Sequence, residues 1–234
     1  MKTALRPPGG PLRGLRIGTF LATVLILSLA IPAGAEEVKV GNFSAGDLDG
    51  WSPRSFGGVT EYSLVRLGER TVLKADSRGT ASGLVKTVNL DPRVHRYLSW
   101  SWRVEGAVED GDCRTEKGDD AAARLLVIFR RTGNQVRVLN YLWANVLPPG
   151  TVLPHSGLKG VVMVAVRSGQ AQAGRWLTEK RDLAADFKAA FGGEPPLIDA
   201  LALMTDTDNT GGRATAYYGD IFLTTGSGSP AVMK

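Results

Sequence analysis

The sequence predicts an all-β chain folded as one antiparallel β-sandwich, with a single short helix over 184–191. Three observations lead there. Short segments of alternating apolar and polar residues recur along the chain, parted by clusters of Gly, Pro and Asp, which is the pattern of strands rather than of βαβ units. Two of the strongest segments fall within 199–224, on either side of Asp208, Asn209, Thr210, Gly211 and Gly212; they read as a hairpin placed centrally in its sheet. No internal repeat and no second composition regime divides 36–225, so that stretch is expected to share one core.

Residues 1–35 have the make-up of an export signal. Lys2, Arg6, Arg13 and Arg16 precede any acidic residue, 17–29 is a 13-residue apolar stretch, and Ala33-Gly34-Ala35 offers small residues to a signal peptidase. Cleavage would leave Glu36 first. The apolar stretch is too short to span a bilayer comfortably, so no membrane span is expected after its removal, and the mature protein is expected in the periplasm or secreted. No cysteine follows the stretch and the arginines are not adjacent, which argues against lipidation and a twin-arginine route. The whole chain carries 28 basic and 23 acidic residues. Taking away the four basic residues of the signal leaves 24 against 23, and no stretch clusters Lys and Arg. A nucleic-acid partner is therefore not expected.

Val38, Val40 and Phe43 read as a first short strand, with a turn over 46–50 ahead of Trp51. Further strands are predicted over 61–67, 71–75, 82–88, 96–104, 121–129, 136–144, 161–167 and 176–181. The helix over 184–191 has Asp182 as its N-cap and Gly192-Gly193 as its stop. The polar, small residues of 226–234 read as a flexible tail. Cys113 is the sole cysteine, so no internal disulfide can form, and it reads as an incidental loop thiol.

Several blocks, "GWSPRSF", "LSWSWRVEG", "RTEKGDDAAARLLVIF", "VMVAVRSG" and "ALMTDTDNTGGRATAYYGDI", together resemble the bacterial secreted family known as domain of unknown function 3047. The resemblance spans about the whole mature chain and implies compartment and domain extent, with no chemistry attached. More distantly, "NFSAGDLDGW" and "AYYGDIFL" are similar to the two ends of jelly-roll carbohydrate-binding modules with a galactose-binding-like fold. That likeness implies a jelly roll and a structural calcium near the terminal aspartate. Asp220 matches the aspartate, while Ser44 stands where such modules carry a glutamate.

Candidate site residues are charged or amide groups set among apolar strands. In 96–104 alternation puts Leu98, Trp100, Trp102 and Val104 on one face, with Tyr97, Ser99, Ser101 and Arg103 on the other. The tryptophans could stack on sugars, but their apolar companions favour a core, which leaves Arg103 as the group of interest. Six carboxylates lie between Glu109 and Asp120. Asp119 and Asp120 abut a strand in which Arg124 shares a face with Leu126 and Ile128, so Arg124 is expected to pair with one of them. Asn140 sits in a strand apolar on both faces, and Arg167 ends another that could reach the same rim.

Asp206, Asp208 and Gly211 match the first, third and sixth positions of an EF-hand loop, but Tyr217 stands where the bidentate glutamate belongs. The turn is thus no EF-hand. Asp206 and Asp208 could still hold Ca²⁺, or they could cap the turn through Asx hydrogen bonds. The expectation drawn from these residues is one cleft, with Arg103, Arg124, Asp206, Asp208 and Asn209 converging on a glycan or other polar ligand without catalysis. Two alternatives stand beside it: a glycan-cleaving enzyme with a carboxylate pair from Asp119, Asp120, Asp206 and Asp208, and a structural envelope protein. No G-x-S-x-G, H-E-x-x-H or phosphate-binding glycine loop is present.

Overall fold

The computed structural model describes residues 36–226. The expected export signal over 1–35 and the tail past its first residue lie outside them. The strands are β1 (Glu37–Gly41), β2 (Trp51–Gly57), β3 (Glu61–Leu67), β4 (Arg70–Arg78), β5 (Ala81–Leu90), β6 (Tyr97–Val104) and β7 (Ala121–Thr132). They continue with β8 (Gln135–Ala144), β9 (Val152–Pro154), β10 (Val161–Ser168), β11 (Leu177–Asp182), β12 (Ile198–Asp206) and β13 (Arg213–Thr224), with one α-helix, α1 (Leu183–Phe191). The fold is the expected jelly-roll β-sandwich. One sheet has the order β11-β6-β13-β4-β3, with β1 also on β13; the other runs β2-β5-β12-β7-β8-β10-β9.

The two sheets bury their facing sides against each other, and period two decides which side that is. On β6, Leu98, Trp100, Trp102 and Val104 are all within 1% of full burial. Trp100 meets Trp102 edge-on at 5.2 Å and tilts against Tyr141 at 5.5 Å, while Trp102 meets Trp143 at 6.0 Å. The tryptophans are therefore core, and a stacking platform built on them is excluded. Trp102 Nε1 donates to Glu179 at 3.0 Å, which satisfies the indole inside the core.

The helix forms as the sequence dictates. Asp182 accepts from Ala185 N at 3.1 Å, and Gly192 takes φ 74°, a value that glycine adopts readily. Leu183 and Phe187 turn inward. Asp186 receives Tyr141 Oη at 2.7 Å and Arg181 Nε at 2.8 Å, which ties the helix to β8 and β11.

Three expectations need correction. The predicted hairpin over 199–224 does not exist: β12 pairs with β5 and β7, whereas β13 pairs with β4, β6 and β1 in the opposite sheet. Each strand is interior to its own sheet, so the residues between them cross the sandwich instead of turning back. The second sheet is not wholly antiparallel, because β10 runs parallel to β8, with Val161 beside Val138 and Ser168 beside Ala144. Two short strands went unrecognised. β2 is an edge strand whose Pro53 needs no ladder donor, and β9 has three residues. Cys113 lies in the loop between β6 and β7, as its reading as a loop thiol expects, and is buried there. It is 2% exposed in a small second core with Leu142, Met163 and Leu147, and burial pushes its thiol up to about 11.

Candidate functional site

Outward-facing residues of β7, β8 and β12 form the floor of a cleft of about 440 Å³ on the outside of the seven-stranded sheet. Alternation places them there, since Leu125, Val127 and Phe129 point into the core and leave Arg124, Leu126 and Ile128 on the other face. Val138 and Asn140 from β8, and Met204 and Asp206 from β12, complete the floor. Phe56 of β2, 72% exposed, stands at the cleft, as does Leu158, 57% exposed, from the segment after β9.

One end of the cleft is polar and tightly built. Arg124 is 3% exposed; its Nε donates to Asp206 Oδ1 at 2.8 Å and its Nη2 to Asp206 Oδ2 at 3.0 Å. The same Nη2 reaches Asp119 Oδ1 at 3.0 Å and the Asp119 carbonyl at 2.8 Å. Asp119 Oδ2 lies 2.7 Å from His155 Nε2. His155 Nδ1 accepts from the amides of Gly157 and Leu158 at 3.0 and 3.1 Å, so Nε2 is the nitrogen that donates to Asp119. The chain Asp206–Arg124–Asp119–His155 thus pins the segment after β9 against the sheet.

Electrostatics follow from this packing. Burial works against the Arg124 charge, but Asp206 and Asp119 outweigh it and hold the guanidinium well above its ordinary pKa. Burial pushes Asp206 up to about 6 against the pull of Arg124. Burial also raises Asp119, but the His155 hydrogen bond and Arg124 reverse that and leave its carboxyl below the usual range. Asp208, largely exposed, is raised by desolvation and by the neighbouring Asp120. A Cβ placed on Gly57 would lie 3.0 Å from Asp208 Oδ2, so the bare backbone of β2 is what admits that carboxylate to the rim.

Seven of the nine predicted site residues belong to this neighbourhood. Asp119, Arg124, Asn140, Asp206, Asp208 and Asn209 line the cleft. Asp120 lies behind it, fully buried: it accepts Asn209 N at 3.1 Å, Thr210 N at 2.7 Å and Thr210 Oγ1 at 2.6 Å. Asp120, distant in sequence, is therefore the carboxylate that shapes the acidic crossover. The partner of Arg124 is Asp206 together with Asp119, and not Asp120.

Two residues do not join. Arg103 belongs to the other sheet, where it pairs with Glu105 at 3.0 Å and covers the Tyr217 ring, so the five-residue cleft that included it is not formed. Arg167 bonds Glu179 at 2.7 and 3.0 Å. That pair links β10 of one sheet to β11 of the other and clasps the sandwich edge instead of reaching the cleft rim.

Two residues at the cleft escaped sequence reasoning. Phe56 lies three residues after Pro53 in a strand short of alternation, and nothing local to His155 announces its contact with Asp119, 36 positions away. The Asn140 side chain is 3% exposed, and its Oδ1 has no hydrogen-bond partner among the described residues.

Asp120, Asp206 and Asp208 bring carboxylate oxygens within 4.8 Å of one another, close enough to share a cation. Their donors are unequal for that task. Both oxygens of Asp120 and of Asp206 already accept hydrogen bonds, which leaves Asp208 as the carboxylate with the most freedom to bind a metal. At Asp220 the charge that the distant resemblance assigns to calcium is supplied by Lys39. Its Nζ lies 2.9 Å from Oδ2, while Ser44 N donates to Oδ1 at 2.8 Å. That carboxylate is satisfied by an ammonium and a serine.

These features define a jelly-roll sandwich with an open, part-apolar cleft on its seven-stranded sheet. The chain belongs to the family described as protein of unknown function DUF3047, whose pattern matches residues 49–222. No curated protein matches it. Among solved structures it is similar to a family 11 carbohydrate-binding module of a Clostridium thermocellum cellulosomal cellulase. Identity is 12%, with 82% of this chain and 95% of that one covered, at a TM-score of 0.45. A xylan-binding domain of family 22 from Paenibacillus barcinonensis gives 12% identity, 80% and 99% coverage and a TM-score of 0.38. A family 29 module from Piromyces equi gives 8%, 82% and 92%, and 0.36. At such values the likeness does not extend to a ligand. Among the described residues no helix is long and apolar enough to cross a membrane.

Proposed function

We propose that this protein binds a carbohydrate in the cleft of its seven-stranded sheet, without catalysis and outside the cytoplasm. The observation that carries the reading is the make-up of the open cleft, where an exposed ring, Phe56, stands at the same pocket as an accessible carboxylate, Asp208. A sugar presents hydroxyl donors for a carboxylate and an apolar ring face for an aromatic side chain. Phe56 offers a ring for the apolar face of a pyranose, and Asp208 an accessible acceptor at the rim. A volume of about 440 Å³ falls in the range of small-molecule sites. An open cleft also speaks against a purely structural role.

Glycan cleavage is the second reading, favoured by one observation: Asp206 is a carboxyl raised to about 6. Against it, Arg124 holds both Asp206 oxygens, so that group has no free atom with which to hand over a proton. A binding screen over envelope glycans, with and without calcium, tests both. The expected result is saturable binding weakened by Asp208→Ala and Phe56→Ala, with the glycan recovered intact. Release of reducing ends that is lost in Asp206→Asn would favour the enzyme instead, and no hit with any glycan would end the carbohydrate reading.

A further inference from the structure

The cleft is chemically divided. Its polar end holds Arg124, Asp119, His155, Asp206 and Asp208, while the floor beyond is Leu126, Ile128, Val138 and Met204, with Phe56 and Leu158 exposed beside it. A glycan lying along the whole cleft would press hydroxyls onto aliphatic side chains that can return no hydrogen bond, which is unfavourable. A hydrocarbon segment in the same place would remove its own surface and theirs from water.

The polar end also selects by charge. Three carboxylates, Asp119, Asp206 and Asp208, face one guanidinium there, and His155 is engaged by Asp119. Arg124 gives Nε and Nη2 to Asp206 and Asp119, whose carboxylates compensate its charge. An anionic head would meet net negative charge without a free cation to receive it. An uncharged polyol head brings hydroxyl donors to Asp208 and needs no cation.

We propose that the ligand of this cleft is an amphipathic glycoside: an uncharged sugar head at Asp208, and an alkyl or acyl chain laid over Leu126, Ile128 and Met204 toward Phe56 and Leu158. The proposal rests on the carbohydrate reading above and adds the hydrocarbon segment to it. It accounts together for an exposed leucine and an aliphatic floor, which a soluble sugar stacked on Phe56 leaves without a role.

Calorimetry or equilibrium dialysis on the mature protein tests this, with octyl β-glucoside below its micellar concentration, methyl β-glucoside, a cello-oligosaccharide and octanoate. The expected result is that octyl β-glucoside binds about 100-fold tighter than methyl β-glucoside, as several buried methylenes would give, and that octanoate does not bind. Ile128→Asn, a change at a half-exposed position, should weaken octyl β-glucoside about tenfold and leave methyl β-glucoside unaffected. Asp208→Asn should weaken both glycosides alike. If the cello-oligosaccharide binds as well as octyl β-glucoside, the hydrocarbon segment is refuted and the carbohydrate reading stands. If octanoate binds as tightly as the glycoside, or if no glycoside binds at all, the carbohydrate reading falls and this proposal with it. Circular dichroism of each variant separates lost binding from lost fold.

Discussion

Replacing Arg124 with leucine should be among the most damaging single changes in this sandwich, and its cost should depend on pH. The guanidinium is 3% exposed and makes two hydrogen bonds to Asp206, one to the Asp119 carboxylate and one to the Asp119 carbonyl. Leucine fills part of the space but leaves Asp206, itself 3% exposed, as a buried carboxylate with only the distant Ala121 amide at 3.3 Å. Breaking a buried ion pair from one side costs about 3–5 kcal/mol. The protein can limit that cost by protonating Asp206. Burial already holds this carboxyl at about 6 in the presence of Arg124, and without the arginine it must rise further. Between the two values the variant's folded state binds one more proton than the wild type's. The cost therefore grows by about 1.4 kcal/mol per pH unit through that window and shrinks again as the pH falls toward 6. Urea melts of both proteins at pH 6, 7 and 8 measure this directly. A difference within about 0.5 kcal/mol at pH 8, or one that is flat from pH 6 to 8, would refute the buried Arg124–Asp206 pair.

Asp119 titrates with the opposite sign. Its folded pKa lies below the ordinary one, so its contribution is present above about pH 4 and lost as the pH falls through the folded value. Asp119→Asn should cost about 1–3 kcal/mol near pH 6, with the gap closing in acid melts below about pH 4; a gap that persists unchanged to pH 3 would contradict this. Arg167→Met removes the inter-sheet clasp and leaves Glu179 with Trp102 Nε1 alone. A loss of about 1–3 kcal/mol is expected in thermal melts, with glycoside binding unchanged, since Arg167 lies away from the cleft. The first 35 residues are proposed to direct export, and the intact mass of the natively exported protein should begin at Glu36. A full-length cytoplasmic form as the main species would overturn that.

The fold was legible because period two survives in a sandwich. Predicted strands such as 61–67 and 136–144 fall on β3 and β8 to within a residue, and the helix starts one residue ahead of its predicted beginning, at the Asp182 cap. Alternation says which residues share a face, but not which strand lies beside which. That is why 199–224 reads as a hairpin and folds as two strands of opposite sheets. Glycine, asparagine and aspartate between two strands fit a tight turn and a sheet-to-sheet crossover equally well. The parallel pairing of β10 with β8 is likewise a matter of long-range register, and no local pattern records it.

The candidate site was legible in proportion to how much of it is built from alternation. Arg124, Asn140 and Asp206 interrupt apolar faces of their strands, and an isolated polar group on such a face has to be paired or placed at a site. The polar end of the cleft follows from that rule. Arg103 satisfies it too, because alternation distinguishes a face without fixing which sheet carries it. Phe56 and His155 were beyond reach for a different reason: both arrive from segments with little periodicity, and tertiary contacts alone place them. The crossover ties these two kinds of residue together. Asp120 holds Asn209 and Thr210 by their amides, which stations Asp208 at the rim two residues beyond the buried Asp206. The bare backbone of Gly57 receives that carboxylate beside Phe56. A chain that folded 199–224 as a hairpin would keep the same residues and lose the cleft, because Asp208 would turn at the end of one sheet instead of meeting Gly57 of β2. The crossover that the sequence conceals is thus the feature that brings the aromatic wall and the acidic rim to one ligand.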